Sequence, residues 1–280
     1  MRTNTFHAKK VLVALFAILL PLVASAQTQV EIDGIWYNLE SEFKQAEVTN
    51  PRGTDYSGSI TIPATVTYDG VAYSVTSIGE AAFYGCEYLT TIILPESVTY
   101  IGHSAFSNCS SLTTITLPEG VTSIGWSAFY GCSSLTSITL PEGVTSIGSG
   151  AFYDCSSLTT ITLPEGVTSI GNYAFRGCSS LTAITCHAVT PPTIASYTFK
   201  GVDKGIPVYV PAGSVEAYKA AAYWNEFTNY VGIETGIENP EIRNHKSEIT
   251  FDLRGRRVAT PTKDGIYIVD GKKVMVKTGM

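Results

Sequence analysis

The chain has 280 residues, of which 44% are hydrophobic and 15% are charged, and its formal net charge is −6. This composition is typical of a folded protein with few surface charges. The acidic balance argues against a nucleic-acid-binding protein, which would carry a basic surface.

The first 26 residues have the three parts of a secretory signal peptide. Arg2, Lys9 and Lys10 precede an apolar run from Val11 to Val23, and the small residues Ala24-Ser25-Ala26 follow. The run is too short to span a bilayer. The sequence therefore predicts export, cleavage before Gln27, and a mature protein without a transmembrane span.

Residues 27–74 are predicted to form a β-rich N-terminal cap. Two Asp-Gly dipeptides, at 33–34 and 69–70, each separate short apolar segments, which is a strong hairpin signal. Ile60-Thr61-Ile62-Pro63 repeats a motif found further along the chain, so we expect a half-repeat followed by an inserted hairpin. Trp36 and the tyrosines near it are expected in the core of this cap.

A 23-residue repeat dominates residues 75–233, and five columns of identical residues define it. These columns are Val75, Val98, Val121, Val144, Val167; Ile78, Ile101, Ile124, Ile147, Ile170; Phe83, Phe106, Phe129, Phe152, Phe175; Cys86, Cys109, Cys132, Cys155, Cys178; and Leu89, Leu112, Leu135, Leu158, Leu181. A period of this length predicts a solenoid whose stacked coils share one core.

One repeat, residues 121–143, predicts the shape of each coil. Leu135, Ile138 and Leu140 give the L-x-x-I-x-L strand of a leucine-rich repeat, with Thr139 facing outward. The β-branched segment that begins each repeat favours a second short strand. Gly148 to Phe152 predicts a turn followed by a single helical or 3₁₀ turn. The predicted fold is a mainly β solenoid of 23-residue coils.

The pattern VTxIGxxAFxxCxSLTxIxLPEG resembles the BspA-like leucine-rich repeats of bacterial surface proteins, over about residues 60–211. Near Pro191-Pro192 the period lengthens by one residue, which predicts a kinked sixth coil. Residues 213–227 place Val215, Tyr218, Ala222 and Phe227 at nearly helical spacing, so a small C-terminal capping helix is expected.

The polar segment 234–248 is predicted to be a linker, and residues 249–280 to form three or four short strands. D-L-R-G-R-R-V at 252–258, G-I-Y-I-V at 265–269 and the Lys-rich end resemble the C-terminal sorting domain of the type IX secretion system. This resemblance implies contact with that secretion machinery, passage across an outer membrane and removal of the tail. A small β extension without that role is the alternative.

Two polar columns have open chemical interpretations. The six cysteines of an exported protein could form disulfides, but side chains stacked in one column favour buried thiols. The acidic column could hold a hard cation such as Ca²⁺ or could simply be a solvated turn; it contains Glu96, Glu119, Glu142, Glu165. We expect no metal site, no cofactor and no catalytic residues.

The positions that differ between repeats include the candidate ligand-binding residues Trp126, Tyr130, Tyr153 and Tyr84. Trp126 and Tyr130 would be neighbours on a helical turn, with Tyr153 one coil away. Large exposed aromatics suit recognition of a protein or glycan, although they could instead cover the apolar edge of their own coil. A flat hydroxyl surface is the rival site; it contains Thr114, Thr116, Thr139, Thr160, Thr162.

The sequence leaves three functions to compare for this secreted or cell-surface protein. Non-catalytic recognition or adhesion to a host protein or glycan is the preferred function. A passive structural spacer is the alternative, which the near-identity of the repeats favours. A hydrolase has no set of catalytic residues to support it, because the histidines are scattered and no nucleophile motif is present.

Overall fold

The computed structural model describes residues 28–53 and 55–233, together with the backbone of four strands between 250 and 276. The predicted signal peptide and linker therefore lie outside the described residues. The strands, numbered in chain order from β1 to β21, are Thr28–Ile32, Ile35–Glu40, Gln45–Thr49, Gly58–Thr61, Thr65–Tyr68, Val71–Ile78, Leu89–Ile93, Tyr100–Ile101, Thr114–Thr116, Ser123–Ile124, Ser137–Thr139, Ser146–Ile147, Thr160–Leu163, Ser169–Ile170, Ala183–Cys186, Pro207–Pro211, Asn229–Ile233, Thr250–Phe251, Arg257–Val258, Gly265–Val269 and Lys272–Val276.

The first side of each coil is a parallel strand in the L-x-x-I-x-L motif. These strands form two four-stranded sheets, β11-β9-β7-β4 and β13-β15-β16-β17. The amide of Thr159 donates to the Thr136 carbonyl at 3.1 Å and so continues the ladder between the two sheets. Ile138 lies opposite Ile115, so the repeat register is preserved. Thr139 faces solvent while Leu140 is buried, as predicted.

The second side is one nine-stranded sheet with the order β1-β2-β3-β6-β8-β10-β12-β14, to which β5 adds beside β6. After β6, each coil contributes a parallel two-residue strand, such as Ser146–Ile147 paired with Ser123–Ile124. A β-turn after each proline joins the first side to the second, with the amide of Val144 donating to the Pro141 carbonyl at 3.0 Å. The two-strand coil predicted from the sequence is therefore confirmed.

The third side consists of hydrogen-bonded turns, where the sequence predicted a single helical or 3₁₀ turn. Tyr130 N–H donates to the Ser127 carbonyl three residues earlier, whereas Phe129 N–H donates to Ala151 of the next coil. Ser127 has a φ of 52°, and such a left-handed residue interrupts helix geometry. Alternate amides therefore bond along the solenoid, and none of the described repeats contains a helix. We call this side the turn face.

Stacked phenylalanines fill the centre of the solenoid. Neighbouring rings have centroids 5.2–5.4 Å apart and are nearly parallel. Tyr56 packs on the first ring, Phe83, at 5.2 Å, and Trp224 packs on the last ring, Phe199, at 5.4 Å. Both ends of the apolar column are thus covered by aromatic residues of the caps, which is what an open solenoid end requires.

The N-terminal cap contains both predicted hairpins. Asp33 and Gly34 have φ values of 52° and 80°, which fit the two central residues of a type I′ turn; Asp69 and Gly70 are similar. Strand β4 pairs in parallel with β7, which confirms the half-repeat. The core assignment of Trp36 was wrong: it is half-buried on the face of β2 opposite the buried Tyr37, and the Arg52 guanidinium lies 4.6 Å from its ring.

The C-terminal cap combines the six-residue helix α1, Val215–Ala220, with 3₁₀ turns at Ala212–Ser214 and Trp224–Glu226 and with strand β17. The buried Tyr218 hydroxyl donates to the Ala188 carbonyl at 2.7 Å. Trp224 Nε1 donates to the Pro192 carbonyl at 2.8 Å, so it anchors the cap on the kinked coil. In the described part of the chain no helix has the length and apolar character needed to cross a bilayer.

The last four strands form an antiparallel sheet with the order β19-β18-β20-β21. This agrees with the three or four short strands expected after residue 248. Strand pairing in itself is common to many small β units, so it bears on the secondary structure and not on the sorting role of the segment.

Candidate functional site

All four predicted ligand-binding residues lie on the turn face. Trp126 is 64% exposed and Tyr84 is 56% exposed, whereas Tyr130 and Tyr153 are half-buried. Full packing of a tryptophan would hide most of its apolar surface. Coil packing therefore does not explain the exposed ring of Trp126.

Trp126 is held against His103 of the preceding coil. The two ring centroids are 5.1 Å apart at an interplanar angle of 33°. The backbone N–H of Trp126 also donates a hydrogen bond to His103 Nδ1 at 3.0 Å. This double contact fixes the backbone at Trp126 and supports one face of its ring, which leaves the rest of the indole available to a ligand. Sequence reasoning did not single out His103 as a partner of Trp126, although both stand in the same variable column.

The tyrosines form a separate cluster. Tyr130 and Tyr153 are stacked with centroids 4.7 Å apart at 14°, and the Arg176 guanidinium lies 5.2 Å from the Tyr153 ring and 5.5 Å from that of Tyr173. The expected pairing of Trp126 with Tyr130 depended on a helical turn. Without that turn, each ring stacks instead on a residue of a neighbouring coil.

A groove of about 520 Å³ runs along the solenoid axis at the corner between the second side and the turn face, and Trp126 and His103 line it at one end. Its lining includes one glycine from each of three coils: Gly125, Gly148, Gly171. A Cβ on Gly148 would lie 2.7 Å from the carbonyl carbon of Gly125 and from the amide nitrogen of Trp126. The glycines are thus required by the close approach of the coils, and their lack of side chains keeps the groove open.

A row of serines forms part of the same groove. Ser123, Ser146 and Ser169 occupy equivalent positions in successive coils and are aligned by strand register. Neighbouring strands lie about 4.8 Å apart, so the three hydroxyls are regularly spaced. Sequence reasoning missed this groove, and the signal was present in the Ser-Ile-Gly that four of the five 23-residue repeats share; the second repeat has Tyr100 in place of the serine.

The cysteines of the repeat column are buried thiols and not disulfides, as the preferred interpretation of the sequence predicted. The Sγ atoms of Cys109, Cys132, Cys155 and Cys178 each donate to a phenylalanine carbonyl of an earlier coil at 3.0–3.1 Å. Burial raises the pKa of Cys132 to about 12, because the thiolate would lose its hydration. These thiols are therefore protonated at neutral pH and act as small apolar core residues.

The acidic column lies at the exposed turn between the first and second sides of the coil. Within residues 28–53 and 55–233, no group of three His, Cys, Asp or Glu side chains is arranged to hold a metal ion. The solvated-turn interpretation of Glu119 and its equivalents agrees with their exposure.

Comparisons with known proteins agree with this architecture. Residues 76–206 match the BspA type leucine rich repeat region in six copies. The fold defines a leucine-rich repeat β solenoid, and residues 76–206 are similar to the BspA type of leucine-rich repeat. No curated protein sequence matches the chain.

Several solved structures share the fold. A leucine-rich repeat protein from Bacteroides ovatus is 33% identical over 66% of this chain, with a TM-score of 0.52; the alignment spans 56% of that protein. The T. pallidum leucine-rich repeat protein is 25% identical over 74% of this chain and 84% of its own, also with a TM-score of 0.52. The pneumococcal vaccine antigen PcpA aligns at 18% identity over 76% of this chain and 72% of its own, with a TM-score of 0.49.

Proposed function

We propose that this is an exported, cell-surface or secreted leucine-rich repeat protein for non-catalytic recognition or adhesion, with a host protein or glycan as its ligand. The exposed Trp126 on a rigid support is the observation that carries the proposal. An immobilised aromatic loses little conformational entropy on binding. Its hydrogen-bonded backbone and its contact with His103 provide that support.

The distribution of constant and variable positions also favours recognition over the alternative, a passive spacer array. The constant residues are explained by the coil itself: Phe129, Cys132 and Leu135 are fully buried, and Gly148 stands where the coils approach most closely. The column of Trp126 is free of these constraints and holds a different residue in each of the five 23-residue repeats; its members are Glu80, His103, Trp126, Ser149, Asn172. The near-identity of the repeats thus reflects packing and does not require a featureless surface.

The four residues proposed from the sequence remain the proposed ligand-binding residues, but their expected contributions to binding differ. Trp126 is the principal residue, because it lines the groove and the three tyrosines do not. Tyr130 and Tyr153 extend the surface along the turn face, although their mutual stacking also stabilises the coils. Tyr84 stands at the N-terminal edge. The flat threonine surface on the first side is exposed and remains the rival site.

Export and surface location remain proposals that rest on the sequence. The proposed division is a signal peptide at 1–26, a β cap at 27–74, the solenoid with its C-terminal cap at 75–233, a linker at 234–248 and a type IX sorting domain at 249–280. The solenoid would be the part that meets the ligand, and the tail the part that meets the secretion machinery.

Binding of the mature protein to printed arrays of glycans and of host extracellular proteins would test the function. The proposal predicts saturable binding to a restricted set of spots. The spacer alternative predicts no saturable binding on either array. A chain unfolded in urea and then diluted onto the array would control for adhesion through exposed core residues.

A further inference from the structure

Three serine hydroxyls of the groove have no hydrogen-bond partner in the part of the chain that the structure describes, whereas a fourth, that of Ser149, donates to the Asn172 carbonyl. Ser123, Ser146 and Ser169 line the groove, and their hydroxyls form no hydrogen bond to another described residue. Each hydroxyl can donate one hydrogen bond and accept two. The groove therefore presents a regular row of neutral donors and acceptors along the solenoid axis.

The groove also lacks strong charges. Its other lining residues are aromatic, aliphatic or small, and none of the residues that line it is Asp, Glu, Lys or Arg. Polyanions are held by arginine and lysine side chains, which are missing from this lining. The chemistry of the groove fits an uncharged ligand that combines hydroxyl groups with an apolar face.

The backbone at the groove is already hydrogen-bonded between coils. Gly148 N–H donates to the Ile124 carbonyl at 2.9 Å, and Gly171 N–H donates to the Ile147 carbonyl at 2.8 Å. Strands β10, β12 and β14 pair with each other in the same way. No sheet edge opens into this part of the groove, so an extended peptide could not bind by adding a strand.

We propose that the groove binds a neutral linear glycan that lies along the solenoid axis. One sugar stacks its apolar face on Trp126, and the following sugars form hydrogen bonds with Ser123, Ser146 and Ser169. A hexose unit is about as long as one coil is high, roughly 5 Å, so a repeating polymer can match the repeating serines. This inference rests on the proposed recognition function and names the class of ligand at its site.

Titration with uncharged hexose oligosaccharides would test the proposal. Cellohexaose, laminarihexaose, mannohexaose and maltohexaose are the probes, followed by shorter members of whichever series binds. Tryptophan fluorescence reports on the site, because Trp126 is exposed, Trp36 is half-buried and Trp224 is buried. We expect a change in fluorescence on binding, with affinity that rises with chain length until the groove is filled.

The variants separate the groove from the rest of the turn face. Trp126→Ala should weaken oligosaccharide binding about tenfold or more, as loss of a central aromatic anchor does. Ser146→Arg should block the groove, and Ser169→Arg provides a second, more exposed position in case the first disturbs folding. Tyr88→Ala is the matched control, since it removes an aromatic that is as exposed as Trp126 but does not line the groove and is not among the proposed ligand-binding residues.

The outcomes distinguish this inference from the proposed function. Oligosaccharide binding that is lost in Trp126→Ala and kept in Tyr88→Ala would support the glycan groove. A protein ligand on the array together with no oligosaccharide binding would refute the glycan inference and leave the recognition function standing. Oligosaccharide binding that both serine-to-arginine variants retain would also refute the groove as the site. No ligand of either kind would refute both proposals.

Discussion

Replacing Gly148 by alanine should destabilise the solenoid because the new methyl group would collide with the preceding coil. An ideal Cβ at Gly148 lies 2.7 Å from the Gly125 carbonyl carbon and the Trp126 amide nitrogen. Ordinary contact begins near 3.4 Å, so the two coils would have to separate by about 0.7 Å. Both obstacles are backbone atoms, and the coils are tied by the Gly148 N–H hydrogen bond to Ile124. Overpacking of this kind costs about 1–3 kcal/mol.

Gly143→Ala, five residues earlier in the chain, is the matched control. Its Cβ would meet nothing closer than the Val121 carbonyl oxygen at 3.6 Å, and loss of a flexible glycine from the unfolded chain favours folding by up to about 1 kcal/mol. Urea unfolding, followed by circular dichroism on wild type and both variants, would compare the two. We expect a lower midpoint for Gly148→Ala and an unchanged or higher midpoint for Gly143→Ala. Equal midpoints would refute the argument that close coil approach dictates the glycine column.

Three further predictions concern the core, the thiols and the ends of the chain. Leu135→Ala should lower the free energy of unfolding by about 2–5 kcal/mol in a denaturant melt, because it leaves a cavity at a buried site. Thr139→Ala, on the exposed strand face, should change it by no more than about 0.5 kcal/mol. Similar losses for the two variants would mean that the buried and exposed faces of the strand are misassigned. Native protein should resist a thiol reagent at pH 8. Burial raises the pKa of Cys132 and Cys178 from 9.0 to about 12. Between pH 9 and 12 these thiols therefore lose their protons in the unfolded chain but keep them in the folded chain, so the urea midpoint should fall as the pH rises from 9 to 12. Rapid labelling of the native protein, or a midpoint that does not change with pH, would contradict the burial of the cysteine column. Protein secreted by its native host should begin at Gln27 and lack the last thirty or so residues by mass spectrometry, and an intact Met280 would argue against the sorting tail.

The repeat architecture could be predicted from the sequence because its period is set by the core. Each column of Phe, Cys and Leu stacks on itself from coil to coil, so the spacing of the residues alone defines the coil. The Asp33-Gly34 and Asp69-Gly70 hairpins could be predicted for a local reason, since left-handed turn positions favour these residues. Neither prediction needed knowledge of how distant parts of the chain meet.

The candidate site was less accessible from the sequence because it depends on backbone geometry. The left-handed φ of Ser127 breaks the helical turn that would have placed Trp126 beside Tyr130, and no residue type at that position indicated it. The groove is open because its glycines have no side chains, so its width follows only from the separation of neighbouring coils. Trp36 was assigned to the core by residue type, whereas the alternation of β2 places Tyr37 there.

The dissociation constant of the Trp126→Ala variant for the strongest array ligand tests most directly whether the turn face around Trp126 is a recognition surface. Removal of an aromatic anchor at the centre of a contact typically costs about 2 kcal/mol or more. Because the side chain of Trp126 is 64% exposed, the urea midpoint of the Trp126→Ala variant should stay near that of the wild type. We therefore predict binding weakened at least about tenfold in a protein of unchanged stability. Full-strength binding by a stably folded Trp126→Ala variant would contradict the account.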